Sequence, residues 1–222
     1  TFESCTTEQN KTISGSSNIG GIVGWNLNSG TLTGNQSLAN VSASGNCAVG
    51  GIAGRNNGNL ILTNDNSGIS RSVSGTNASG VGGIAGVNEA GGTLTVTGTS
   101  SEIDAVGSGA SVIGLQRVGG IVGVNRGTIG HTGASTSEKY LASRAKLVRA
   151  SRGNAGGIVG ETHGDIICAV NRSVSVTADE GNAGGITAVN NKGQAIRNCK
   201  NFGTVSSSKG YASGIAAYNA GT

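Results

Sequence analysis

The side chains best equipped for chemistry gather in one short run, Glu161-Thr162-His163-Gly164-Asp165. In an extended segment, alternation places Glu161, His163 and Asp165 on one face, an oxygen and nitrogen donor set that suits a weak divalent cation or a sugar. One short cluster of this kind is a non-specific signal, and the plainer reading is an exposed polar corner. The second candidate is electrostatic. Residues 117–152 carry Arg117, Arg126, Lys139, Arg144, Lys146, Arg149 and Arg152 against a single acid, Glu138, so seven of the 15 Lys+Arg fall there. Such a field suits an acidic glycan, wall polymer or protein, although charge runs usually just face water.

Other chemistries lack their residues. The acids are scattered, with no plausible carboxylate pair for glycoside hydrolysis. The only histidines are His131, in Gly-His-Thr-Gly, and His163, which leaves no basis for a Ser-His-Asp or Cys-His arrangement. Four cysteines, Cys5, Cys47, Cys168 and Cys199, fit no CxxC or zinc spacing, and no metal or cofactor is expected. Cys168 and Cys199 each lie six residues before a valine, Val174 and Val205. If those places are in register, the two Cα atoms stand about 5 Å apart, which allows either a disulfide or a stacked pair of thiols. The formal charge of +4 is too modest to imply nucleic acid. No run of about 18 apolar residues exists, so no membrane insertion is expected.

The elements that must position these residues are announced by one recurring phrase. It reads Gly20-Gly21-Ile22, Gly50-Gly51-Ile52, Gly82-Gly83-Ile84, Gly119-Gly120-Ile121, Gly156-Gly157-Ile158, Gly184-Gly185-Ile186 and Ser213-Gly214-Ile215. The steps between isoleucines are 30, 32, 37, 37, 28 and 29 residues, a range that means a solenoid, propeller or array. After the phrase comes a corner asparagine: Asn26, Asn56, Asn88, Asn125, Asn190 and Asn219, with Thr162 in its place in one unit. Next come Leu32, Leu60, Leu94, Ile129, Ile166 and Ile196, and then a third apolar step such as Val41, Val174 with Val176, or Val205.

Each unit thus offers three short alternating strands separated by Gly/Asn turns. Propellers need four longer strands and periodic aromatics, but aromatics are 3% here. The expected fold is all-β: a right-handed parallel β-helix, a three-sheet solenoid with about 30 residues per coil, spanning 1–222 as one domain. The 37-residue steps imply insertions around 99–118 and 131–144, with Tyr140–Lys146 as a projecting helical turn. Stacked asparagines suit an amide ladder at the corner. Pro is absent, consistent with a fold in which each ring would delete a ladder donor. Trp25 and Tyr218 follow the Gly-rich strand, but their equivalents Arg55, Val87, Val124, Glu161 and Val189 make no aromatic track.

The run Gly184-Gly185-Ile186 through Ile196-Arg197-Asn198-Cys199-Lys200-Asn201-Phe202-Gly203-Thr204-Val205 resembles the GLUG-type repeat of large bacterial surface proteins. Such repeats occur in adhesin-like proteins and in non-catalytic parts of immunoglobulin A-cleaving metalloproteases. The resemblance covers almost the whole chain and implies a secreted or cell-surface setting. Its matching residues are scaffold residues, so it speaks to architecture more than to activity. The expectation is a non-catalytic adhesin-like module, a rigid stalk displaying loops to a glycan or protein. The alternatives are a β-helical carbohydrate-active enzyme and a self-assembling fibre subunit whose open ends stack on further coils.

Overall fold

The computed structural model describes residues 1–63, 68–130, 139–191 and 193–221. In it the seven isoleucines of the recurring phrase form the rungs of one ladder. Ile22 N–H donates to Ile52 O at 2.9 Å, and the same bond links Ile52 to Ile84, Ile84 to Ile121, Ile121 to Ile158, Ile158 to Ile186 and Ile186 to Ile215. The protein is a parallel β-solenoid of about six turns, with about 32 residues per turn and no helix among the described residues.

The three strands read from each repeat resolve into five. A representative turn runs Asn59–Leu62 in sheet A, Gly68–Ile69 in sheet B, Val73–Gly75 in sheet C, Gly80–Gly82 in sheet D and Ala85–Asn88 in sheet E. Sheets A, C, D and E hold seven described strands each and sheet B six. The division of D from E is a glycine effect. A Cβ on Gly82 would lie 2.0 Å from Ala85 O, and one on Gly83 would lie 2.2 Å from Gly120 O and 2.5 Å from Val106 Cγ2. Only a residue without a side chain permits so sharp a bend between the two limbs.

Inward columns fill the interior. Sheet A stacks Leu32, Leu60, Leu94, Ile129, Ile166 and Ile196 in register. Sheet C stacks Ile13, Val41, Val73, Val112, Val148, Val176 and Val205. Apart from Ile13 and Ile215 in the two end turns, these columns join the phrase isoleucines in one continuous core. Ile52, Ile84, Ile121, Ile158 and Ile186 are fully buried, each contributing about 2–3 kcal/mol of transfer free energy. Val174 is not part of this column. It precedes the strand Ser175–Ala178 and is 67% exposed, because Val176 is the residue level with Val205.

The 37-residue turns keep the wall intact. Glu102–Val106, Ser111–Gly114 and Arg117–Gly119 are strands of sheets B, C and D, so 99–118 is wall with lengthened corners and not a detached insertion. Tyr140–Ser143 is likewise a strand of sheet B, paired with Glu102–Val106, where a helical turn was expected. Alternation decides this: Leu141 enters the main core while Tyr140 and Ala142 pack in an outer cluster. His131, Glu138 and most of the 131–144 segment lie outside the described residues.

The corner after sheet E carries the asparagine ladder. Asn26 Nδ2 donates to Asn56 Oδ1 at 2.8 Å, Asn56 to Asn88 at 2.8 Å and Asn88 to Asn125 at 2.9 Å. Each amide also donates within its own turn, as Asn88 does to Gly92 O. The ladder changes hands at Thr162, which accepts from Asn125 at 3.1 Å, and resumes from Asn190 to Asn219 at 2.8 Å.

Candidate binding furrow

Because sheets D and E meet at the Gly-Gly-Ile bend, their outer faces confront each other across a furrow running along the solenoid. One wall carries the residue two places before the first glycine of each phrase. Register levels Ala48, Gly80 and Arg117, and Asn154, Asn182 and Tyr211 follow, each just ahead of the paired Ala155, Ala183 and Ala212. The facing wall carries Trp25, Arg55, Val87, Val124, Glu161, Val189 and Tyr218. In the middle turns the furrow is sealed. Ala48, Val87 and Val124 form a buried apolar cluster separate from the core.

One turn further the furrow opens. Gln116, Arg117, Arg152, Gly153, Asn154 and Glu161 line a depression of about 170 Å³. It unites residues that the sequence leaves in different candidates: Arg117 and Arg152 of the basic region, and Glu161 of the acid–histidine run. Arg117 Nη1 lies 3.8 Å from Glu161 Oε2, and its Nε donates to Ser79 O at 2.9 Å. His163 Nε2 lies 2.7 Å from Glu161 Oε1. Asp165 does not join them, since its Oδ1 accepts the Ala195 N–H of the next turn at 2.9 Å. The cation candidate therefore fails as a triad, and among the described residues no three His, Cys, Asp or Glu side chains gather for a metal.

The basic region is not one patch either. Its residues occupy successive strands and corners of the solenoid wall, and the parallel stacking sets acids from neighbouring turns beside four of them. Arg126 pairs with Glu89 at 3.2 Å, and Glu89 also holds Arg55 at 2.7 Å. Arg144 bridges Asp104 at 2.7 Å and Glu102 at 3.3 Å, while Arg149 meets Asp179 at 2.6 Å. Lys139 lies just before the sheet B strand and Lys146 is exposed at the next corner. Arg152, also exposed, makes no ion pair with any described residue.

Sheet B carries a cluster that no local motif announces. Arg172 donates to both oxygens of Glu102, at 2.8 and 2.6 Å, and stacks on Phe202 at 4.4 Å. Lys200 lies 4.3 Å over the Tyr140 ring. The hydrogen bond from Arg172 holds the Glu102 carboxyl below the usual glutamate range, against the opposing effect of burial. Glu102 and Arg172 are 70 residues apart, so only the stacking of turns brings them together. Asn154 and Asn182 were legible as the shared Gly-Asn-Ala-Gly-Gly ending, but the place of Asn154 in one depression with Glu161 was not.

The cysteines are free thiols, so of the two arrangements open to Cys168 and Cys199 the disulfide is not made. Ile167 pairs with Arg197 and Val170 with Lys200, which levels Cys168 with Asn198 and Cys199 with Ala169. A slip of one residue reverses the facing. Cys168 packs with Tyr140, Ala142 and Val170 outside the wall, and Cys199 packs against the main core. Burial pushes the Cys199 thiol up to about 11, so it stays protonated at neutral pH.

Comparison with family models, with curated proteins and with solved structures finds no match to this chain. The fold itself defines the class, a parallel β-solenoid, and that class hosts both binding and catalytic functions.

Proposed function

We propose that the protein is a non-catalytic extracellular module, an adhesin-like rod that holds a binding surface on a stiff scaffold. The observation that carries this reading is the use made of its charged side chains. Arg55 and Arg126 clamp Glu89, Arg144 and Arg172 clamp Glu102, Arg149 holds Asp179 and Lys209 holds Glu180, each pair joining neighbouring turns except Arg172 and Glu102, which span two. Groups so engaged serve to tie coil to coil. A general acid needs a raised carboxyl pKa, whereas Arg172 holds Glu102 below its ordinary range. The secreted or surface setting rests on the resemblance of the Gly-Gly-Ile unit to GLUG-type repeats.

The test is a pair of assays on the purified chain. Incubation with plant, bacterial and host polysaccharides is expected to release no new reducing ends or unsaturated products, while beads coated with the protein adhere to glycan-bearing surfaces. Turnover of any polysaccharide would overturn the reading in favour of a β-helical carbohydrate-active enzyme.

A further inference from the structure

We infer that the open part of the furrow binds a carboxylate-bearing oligosaccharide, of the uronate or sialate class, laid along the solenoid axis. This deepens the adhesin-like reading and rests on it. Asn154 Oδ1 accepts the Asn182 N–H at 3.1 Å, and Asn182 Oδ1 accepts the Tyr211 N–H at 3.0 Å. Both carbonyl oxygens are thus engaged along the wall, and each side chain keeps its NH2 group as a donor. Beside them Arg117 and Arg152 line the same depression as Asn154, and Arg152 is exposed without an ion pair to any described residue. The depression also holds the Glu161 carboxylate, but Arg117 at 3.8 Å and His163 at 2.7 Å already engage it. The guanidinium fork of Arg152, beside amide donors whose own oxygens are engaged, therefore selects a ligand rich in acceptors, a carboxylate in particular.

The dimensions agree. From the level of Arg117 to that of Tyr211 the outer column of sheet D climbs three rungs, about 14 Å at roughly 4.8 Å each, with the depression at its Arg117–Asn154 end, a span that a short oligosaccharide fills. At the far end Tyr211 and Tyr218 stand on opposite walls of one turn, 67% and 51% exposed. Exposed aromatic rings there supply apolar faces for a sugar ring, and their hydroxyls add polar contacts. At the near end the apolar cluster of Ala48, Val87 and Val124 closes the furrow, so the carboxylate seats beside Arg152 and the chain extends toward the tyrosines.

The experiment is titration of the intact protein, followed by NMR or calorimetry, with sialyllactose and trigalacturonate against the neutral lactose and maltotriose. Acidic ligands are expected to bind at least tenfold more tightly than neutral ones. Arg152→Ala and Asn182→Ala are each expected to lower that affinity about tenfold or more. Arg149→Ala, which removes an equal charge outside the furrow, is expected to leave it unchanged. Equal binding of acidic and neutral sugars, an equal loss from Arg149→Ala and Arg152→Ala, or no binding of either acidic ligand would overturn the inference. Shortening of a bound oligosaccharide during the titration would refute the non-catalytic reading and leave the binding inference standing.

Discussion

At the corner after sheet E an asparagine performs three tasks and a threonine only two. The amide donates to the next turn and to its own turn, and its oxygen accepts from the turn before. Thr162 accepts from Asn125, but its single proton goes to Gly164 O. Nothing is left for the following turn, and Asn190 Oδ1 is buried without a hydrogen-bond partner. An orphaned buried acceptor costs about 1–3 kcal/mol. Thr162→Asn is therefore expected to stabilise the protein by about 1–2 kcal/mol, visible as a higher midpoint in denaturant, and an unchanged or lower midpoint would refute the ladder account. The departure of Thr162 from the corner pattern was plain in the sequence. Its consequence was not, because the cost falls on Asn190, one turn away.

Between elements, the sheet B cluster shows what stacking adds. Glu102, Arg144 and Arg172 sit on three successive turns, and their charges meet only because parallel register brings the strands side by side. Glu102 has a depressed pKa in the folded state, so its contribution is fully present above the ordinary glutamate value of 4.5 and is lost as pH falls through the folded value. Glu102→Gln is expected to melt about 2–4 °C below the parent at pH 7, a modest figure for a partly exposed network. The gap should close as the pH is lowered toward 3, and a gap that persists in acid would show that packing, not charge, is at work. Element boundaries also explain the misplaced cysteines. Counting back from Val174 puts Cys168 and Cys199 at matching places, but the paired valine is Val176, and the corner between sheets B and C differs by one residue in the two turns. Spacing alone reports the number of residues in a coil, not where a corner absorbs one.

Over the whole molecule, each turn touches chiefly its neighbours, so a complete turn is dispensable in a way that half a turn is not. Deletion of 84–120 joins Gly83 to Ile121 and restores the same phrase, since Ala85 and Val122 are level. The shortened protein is expected to keep its β-sheet spectrum and cooperative melt, and to lose about 4.8 Å of length by small-angle scattering. Deletion of 84–101 should unfold it, because polar corner residues would then enter the core; survival of that variant would refute the stacked-turn account. The repeat itself, the isoleucine ladder, the sheet A column and the asparagine corner were all determined by the sequence, because identical residues at one period can bury their apolar groups and satisfy their amides only by lying above one another. Five strands per turn, the sealed and open stretches of the furrow, the dispersal of the basic residues and the separation of the two cysteines were decided by the tertiary structure. Those features depend on which residues of different turns share a level, and that is settled by where each corner gains or loses a residue in three dimensions.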